Sequence, residues 1–131
     1  MTVVDTSAVV AVLFEEPGSD AVERELLRGP CVMSAATRVE LGIVIEARAR
    51  AAGTQLLEEL LARTDVHIAP VDERQASEAL VCWRRFGKGR HRAALNLGDT
   101  FAYALARQTG QPLLCVGDDF THTDIATTPS R

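Results

Sequence analysis

The segment VVDTSAVVAVLF, residues 3–14, decides the fold class that we predict for this chain. Val3 and Val4 form a short apolar run that ends at Asp5, and Ser7 then opens a longer apolar stretch. A short run of this kind indicates a strand, and the longer stretch suits a helix packed against a sheet. The chain is therefore predicted to open with a β-strand followed by an α-helix.

Strands and helices alternate along the rest of the chain. Alternation of this kind predicts an α/β fold, namely a three-layer sandwich with a central, mainly parallel β-sheet flanked by helices. The predicted strands cover residues 31–33, 66–71 and 112–116, and the predicted helices cover residues 19–28, 34–53, 56–61, 72–86 and 100–109.

Length and composition suit one domain over residues 1–131. The longest apolar run, residues 8–14, is far shorter than the roughly 20 residues of a membrane span. No basic segment precedes this run and no small-residue cleavage site follows it, so it does not resemble a secretory signal. We expect no membrane segment and a cytoplasmic location.

Several residues are predicted to lie in the core because of their spacing. Val39 and Ile43 fall at helical spacing on the long helix, and Trp83 and Phe86 do so on a later one. The three cysteines each have apolar neighbours and are predicted to be reduced core residues. Residues 127–131 are expected to fray.

Carboxylates gather near one edge of the predicted sheet. Asp5 ends the first strand, Asp99 stands just before a predicted helix, and Asp118 and Asp119 follow the last predicted strand. Glu40 lies on a helix face that is otherwise apolar. Because ligands of open parallel sheets collect outside the carboxyl ends of the strands, we expect these side chains to form one site.

Each of these carboxylates also has a structural explanation. Their joint occurrence is harder to explain in that way, because crowded like charges destabilise a protein unless a cation neutralises them. The structural alternatives are helix capping by Asp5 and Asp99, a polar turn at Asp118 and Asp119, and a surface ion pair of Glu40 with Arg38 or Arg48.

The donor atoms of this group indicate the metal and the chemistry. All are oxygens, and such ligands select Mg²⁺, or alternatively Mn²⁺, over zinc or copper. A Mg²⁺ ion held by carboxylates lowers the pKa of a bound water and polarises a phosphoryl oxygen. Hydrolysis of a phosphodiester is therefore predicted, although phosphatases use the same ingredients.

A basic loop, RRFGKGRHR at residues 84–92, is the second functional feature. It carries five fixed positive charges and two glycines that let the backbone approach a phosphate. We predict that Lys88, Arg90 and Arg92 contact a phosphate backbone. The alternative is a solvated loop that only keeps the chain soluble.

Five short motifs resemble, in order, those of the PIN-domain ribonucleases, and most closely those of the VapC toxins of VapBC toxin–antitoxin pairs. The resemblance spans nearly the whole chain and is therefore specific. The motifs are VVDTSA at residues 3–8, RVE at 38–40, LGDTFA at 97–102, PLL at 112–114 and DDF at 118–120.

The resemblance implies a PIN-like parallel sandwich and Mg²⁺-dependent endonucleolytic cleavage of RNA. It places the family's acidic catalytic residues on Asp5, Glu40, Asp99 and Asp119, with Asp118 as the alternative for the fourth. We expect Asp5 and Asp99 to bind the metal and the other two to complete the site. A homodimer and a VapB-type antitoxin partner are implied by the resemblance alone. Supporting polar groups are expected from Thr6 or Ser7 and from Asn96.

Two other functions remain open at this point. A Mg²⁺-dependent phosphatase of the haloacid dehalogenase type also begins with an Asp after the first strand, but it requires a second Asp where this chain has Ser7. A non-catalytic, receiver-like Mg²⁺-binding module requires an acidic pair before the first helix and has no use for a basic loop.

Overall fold

The central element of the structure is a parallel sheet whose five strands lie in the order β3-β2-β1-β4-β5. The structure is a computed structural model, and it describes residues 1–129. The strands are β1 (Thr2–Val4), β2 (Cys31–Ser34), β3 (Val66–Ala69), β4 (Leu113–Leu114) and β5 (Thr127–Thr128).

Helices connect successive strands and cover both faces of this sheet. A short 3₁₀ helix, Asp119–His122, follows β4. The α-helices are α1 (Thr6–Leu13), α2 (Ser19–Arg28), α3 (Ala35–Arg63), α4 (Glu73–Phe86) and α5 (Leu97–Thr109).

Strand β1 lies at the centre of the sheet and divides the core into two halves. Val3 is fully buried in the cluster that α4 and α5 form with the sheet. Val4 is fully buried in the cluster that includes residues of α1, α2 and α3. Because successive side chains of a strand point to opposite faces, these two valines anchor the two helix layers. The predicted three-layer α/β sandwich is confirmed.

Helix α5 begins at Leu97, earlier than the predicted start at residue 100. The Asn96 side chain accepts a hydrogen bond from the backbone N–H of Asp99, and the Asp99 side chain accepts one from the N–H of Asn96, both at 3.0 Å. This reciprocal capping box satisfies two donors of the first turn. Asp99 therefore lies within the helix and not in front of it.

Helix α3 is interrupted at Arg50, whose backbone has φ +60° and ψ −152°. The prediction that Gly53 ends the long helix is wrong. A Cβ at Gly53 would lie 2.5 Å from the Cβ of Ala49 and 3.1 Å from Cγ2 of Ile45. Close packing against Ala49 and Ile45 therefore explains the glycine at this position. The break in the helix lies three residues earlier, at Arg50.

The predictions that Val39 and Ile43 on α3, and Trp83 on α4, lie in the core are wrong. On α3 the reason is that more than one stripe of the helix surface is apolar. Val39 and Ile43 are 62% and 64% exposed, whereas Leu41 and Ile45 on the same helix are fully buried. Both pairs have the same i, i+4 spacing, so spacing alone does not identify the inner face. Trp83 is likewise exposed at 39%.

The C-terminal segment contributes to the sheet. Residues 127–128 form β5, which pairs in parallel with β4, so the expectation of a frayed tail is wrong for them. Ser130 and Arg131, which were part of that expectation, lie outside the described residues. All three cysteines are buried thiols, as predicted. Among residues 1–129, no helix has the length and apolar character of a membrane span.

Candidate active site

Asp5 lies where the central strand ends, and it both caps a helix and faces the candidate site. Its Oδ2 accepts hydrogen bonds from the Ser7 backbone N–H at 3.1 Å and from the Ser7 hydroxyl at 2.6 Å. Its Oδ1 is buried without any hydrogen-bond partner. The capping explanation therefore accounts for one oxygen of this carboxylate and leaves the other without a partner.

Ser7 also connects Asp5 to the end of strand β4. The Ser7 hydroxyl oxygen accepts a hydrogen bond from the backbone N–H of Val116 at 3.0 Å. One hydroxyl thus holds both the Asp5 carboxylate and the segment that leads into the acidic pair after β4. A hydroxyl was expected to support Asp5, and the two hydrogen bonds of the Ser7 hydroxyl place it where it can do so.

Glu40 reaches the same region from the second turn of α3. Its Oε1 accepts a hydrogen bond from the Thr6 hydroxyl at 2.5 Å. The alternative of a surface ion pair is not realised, because the two arginines proposed for it have other partners. Arg38 pairs with Glu58 at 3.2 Å, and Arg48 pairs with Glu16 at 3.4 Å.

Asp99 is held in the first turn of α5 by its capping box with Asn96. Burial raises the pKa of the Asp99 carboxyl to about 7, although the hydrogen bond from the Asn96 backbone opposes that rise. The charges of Asp5, Glu40 and Asp119 raise this pKa further. Asp99 therefore shares an electrostatic environment with the other three carboxylates predicted for the site.

The fourth acidic position lies just beyond β4, where the chain turns. Gly117 has φ +96°, a conformation that favours glycine, and the 3₁₀ helix begins two residues later at Asp119. Asp119 is exposed, and its charge contributes to the raised pKa of Asp99. The backbone carbonyl of Asp118 accepts a hydrogen bond from the Thr121 hydroxyl at 2.6 Å.

Burial and mutual repulsion make this group of carboxylates unfavourable without a cation. Burial, the largest cause, raises the pKa of Asp5, and the charge of Glu40 adds to the rise, while hydrogen bonds from Ser7 oppose it. A carboxylate oxygen that is buried and has no partner costs free energy, which a bound cation would offset. Two features of the site would thus be stabilised by a bound cation, namely the buried Oδ1 of Asp5 and the raised pKa values of Asp5 and Asp99.

The donor set fits a hydrated hard cation. Among residues 1–129, no three Asp, Glu, His or Cys side chains converge closely enough to ligate one ion together. Mg²⁺ commonly keeps several waters and is bound through one or two carboxylates, so it does not need three converging side chains. Asp5 supplies an oxygen without a partner, and Asp99 supplies a carboxylate whose charge is disfavoured without a cation. The residues present fit a divalent metal of this type.

Of the basic loop predicted at residues 84–92, residues 84–86 belong to the last turn of α4, and residues 87–92 form the loop between α4 and α5. Its base is closed by a hydrogen bond from the Lys88 N–H to the Leu95 carbonyl at 2.9 Å, one residue before the cap of α5. Lys88, Arg90 and Arg92 are all exposed, and the Arg90 guanidinium also lies over the Trp83 ring at 4.2 Å from its centroid. The loop is thus next in sequence to the turn that carries Asp99.

Sequence reasoning missed two parts of this region. Gly98 lies directly against the Glu40 carboxylate. Asp124 accepts a hydrogen bond from the buried Tyr103 hydroxyl at 2.5 Å and pairs with Arg85 at 3.1 Å and Arg107 at 3.3 Å. The helix was predicted to begin at residue 100, so Gly98 lay outside it and no local signal marked the first. The second depends on contacts between distant segments.

Comparisons with known proteins agree with this fold and site. The family model described as PIN domain matches residues 2–126. A protein of Mycolicibacterium smegmatis named Ribonuclease VapC is 47% identical over 125 residues, which are 95% of this chain and 97% of that protein.

Solved structures are similar over nearly the whole chain. The crystal structure of Mycobacterium tuberculosis VapC20, described as a sarcin-ricin loop cleaving toxin, has a TM-score of 0.79 at 16% identity and covers 99% of this chain and 100% of that one. A toxin–antitoxin complex from Klebsiella pneumoniae has a TM-score of 0.70 at 18% identity and covers 99% and 98%.

The family-model match covers the segments that carry the four predicted acidic residues and the strands β1 to β4. It sets aside the phosphatase and receiver-like alternatives, which belong to other families. Divalent-metal dependence is general in this family. The chain belongs to the PIN-domain family and, within it, to the VapC ribonucleases.

Proposed function

We propose that residues 1–131 form one Mg²⁺-dependent endoribonuclease domain that acts as the toxin of a type II toxin–antitoxin pair in the cytoplasm. The observation that carries the proposal is the buried Oδ1 of Asp5, which has no partner, in a group where the charges of Asp5, Glu40 and Asp119 all raise the pKa of Asp99. A divalent cation supplies the positive charge that offsets these carboxylates, and an RNA phosphate can then approach the site. Mn²⁺ is the alternative ion.

The four carboxylates have different tasks in this proposal. Asp5 and Asp99 hold the metal, and each is oriented by a hydrogen bond to its own helix terminus. Glu40 and Asp119 complete the acidic group. The metal, when bound, supplies the Lewis acidity that phosphodiester hydrolysis requires. Asp118 is the alternative for the fourth acidic position.

RNA binding is assigned to the basic loop. Lys88 and Arg92 are exposed and can bind phosphates directly. Arg90 stacks on Trp83, so its contact with RNA would use the outer side of that pair. A net charge of −4 makes a local basic loop the natural place for a polyanion to bind.

The proposed homodimer is supported by an exposed apolar face. Val39, Ile43 and Leu97 are 62%, 64% and 75% exposed, and they line one groove together with Glu40 and Phe101. Exposed apolar patches of this kind mark interaction sites. We expect Ile43→Glu to convert a dimer into a monomer in analytical ultracentrifugation. A wild-type protein that sediments as a monomer would remove this part of the proposal.

The proposed antitoxin partner follows from membership of the VapC ribonucleases. We expect that a VapB-type antitoxin encoded beside the gene for this chain forms a stable complex with the purified protein and stops RNA cleavage at a one-to-one ratio. Cleavage that continues in the presence of a formed complex would contradict inhibition by that partner.

The nuclease proposal is tested by incubating the purified protein with total bacterial RNA. We expect discrete fragments with Mg²⁺, none with EDTA, and none with Asp99→Asn. Glu46→Gln removes an exposed carboxylate of α3 from outside the site and serves as the matched control. Metal-independent cleavage, or full cleavage by a folded Asp99→Asn variant, would overturn the assignment.

A further inference from the structure

Gly98 lies in the first turn of α5, directly against the carboxylate of Glu40. A Cβ atom added at Gly98 would overlap the Oε2 and Cδ atoms of Glu40 and lie 2.8 Å from its Oε1. Real Cβ atoms essentially never approach heavy atoms of other, non-neighbouring residues within 3.0 Å. The Glu40 carboxylate therefore occupies the volume that any side chain at position 98 would need.

The other side of the same carboxylate is fixed by Thr6. The Thr6 hydroxyl donates a hydrogen bond to Oε1 of Glu40 at 2.5 Å. Glu40 thus extends from α3 into a narrow slot between the first residue of α1 and the first turn of α5. Its carboxylate is held on two sides by elements that also carry Asp5 and Asp99.

Backbone conformation does not explain a glycine at position 98. Gly98 lies inside a regular helix, and its φ is outside the left-handed region that favours glycine. Alanine is the better residue for such a backbone. The space needed by Glu40 is therefore the physical reason for the missing side chain.

We propose that Gly98 is a positioning residue of the active site, which keeps the Glu40 carboxylate in a slot closed on its other side by Thr6. The inference rests on the proposed nuclease function. The clash at Gly98 involves the far end of a flexible side chain, which can move without disturbing the fold. Replacing Gly98 by alanine should therefore displace Glu40 while leaving the protein folded.

The primary test is Gly98→Ala, assayed for RNA cleavage over a range of Mg²⁺ concentrations. We expect an unchanged or higher Tm and a loss of about 100-fold in kcat/KM, since a displacement of about 1 Å in an active site can cost that much. The Mg²⁺ concentration for half-maximal cleavage should rise. Gly29→Ala is the matched control, because a Cβ at Gly29 meets nothing within 4 Å.

A double-variant cycle separates steric positioning from a general structural role. Glu40→Asp shortens the side chain by one methylene, so the carboxylate retreats from the Cβ that Gly98→Ala adds. We expect Glu40→Asp to reduce cleavage in the wild-type background but to cause no further loss in the Gly98→Ala background. Strictly multiplicative losses would overturn the inference, because two residues in contact should be coupled.

A second variant tests the slot from its other side. Thr6→Val removes the hydroxyl that binds Oε1, and we expect it to lower cleavage, whereas Thr6→Ser keeps the hydroxyl and should retain activity. Gly98→Ala that cleaves like wild type, or whose Tm falls together with its activity, would refute the inference. An inactive wild-type protein would instead refute the proposed nuclease function.

Discussion

Replacing Asp99 by asparagine should make the metal-free protein more stable while abolishing cleavage. The pKa of Asp99 rises from 3.8 to about 7, chiefly because the carboxyl is buried. At roughly 1.36 kcal/mol per pKa unit, the full shift corresponds to about 4 kcal/mol of destabilisation of the charged form. Because the side chain is partly exposed, screening by solvent reduces the expected gain to about 1–2 kcal/mol.

The sign of the pH dependence follows from the direction of this shift. Between pH 4 and 7 the folded protein retains a proton on Asp99 that the unfolded chain has lost, so wild-type stability falls as the pH rises. The advantage of Asp99→Asn should be near zero at pH 4 and complete at pH 8. The asparagine oxygen can still accept the hydrogen bond from Asn96, which preserves the helix cap.

The assay is thermal unfolding in EDTA from pH 4 to 8, followed by a Mg²⁺ titration. A gain of 1–2 kcal/mol should raise Tm by roughly 5 °C at pH 8. Mg²⁺ should stabilise the wild type and have little effect on the variant. Glu46→Gln controls for the loss of a carboxylate elsewhere on the surface. If Asp99→Asn is no more stable than wild type at pH 8 in EDTA, the negative charge of Asp99 does not destabilise the metal-free protein and the reasoning is refuted.

Three further predictions concern other parts of the chain. Neutralising Arg90 and Arg92 to glutamine should weaken RNA binding and reduce the slope of log Kobs against log [salt] by about 1 to 2, and an unchanged slope would return the loop to a solubilising role. Arg50→Gly should raise the free energy of unfolding by about 1 kcal/mol, seen as a higher urea midpoint, because φ +60° with ψ −152° suits glycine alone; a lower midpoint would contradict the strain. Tyr103→Phe should cost about 2 kcal/mol in chemical denaturation, because it removes a charge-assisted hydrogen bond to Asp124, and an unchanged midpoint would show that water replaces it.

The fold was predictable because its strongest signals are local. The apolar pair Val3 and Val4 indicates the central strand, and Asp5 marks its end. Because ligands of open parallel sheets bind at the carboxyl ends of the strands, the topology alone places the site at that edge. Carboxylates at the ends of other segments then fall on the same edge. The grouping of these residues could therefore be anticipated before any contact was known.

Features that depend on distant contacts could not be read from the sequence. Val39 and Ile43 have the periodicity of a core face, but the sheet lies against the stripe that contains Leu41. The glycine at position 98 is explained only by its contact with the carboxylate of Glu40, which lies on another helix. These features depend on how whole helices and strands pack against one another, and a local sequence pattern holds no information about that packing.

The hydrogen bond from Val116 to Ser7 also has a consequence for biosynthesis. The ribosome makes the central strand β1 before its neighbour β4, yet the Ser7 hydroxyl that orients Asp5 is held by a backbone group that follows β4. A nascent chain that has not yet docked β4 therefore holds the Asp5 carboxylate without that restraint, and Asp119, which follows β4, is not yet in position. The complete site, with Asp5 restrained and Asp119 in position, therefore forms only after β4 has been made and has docked.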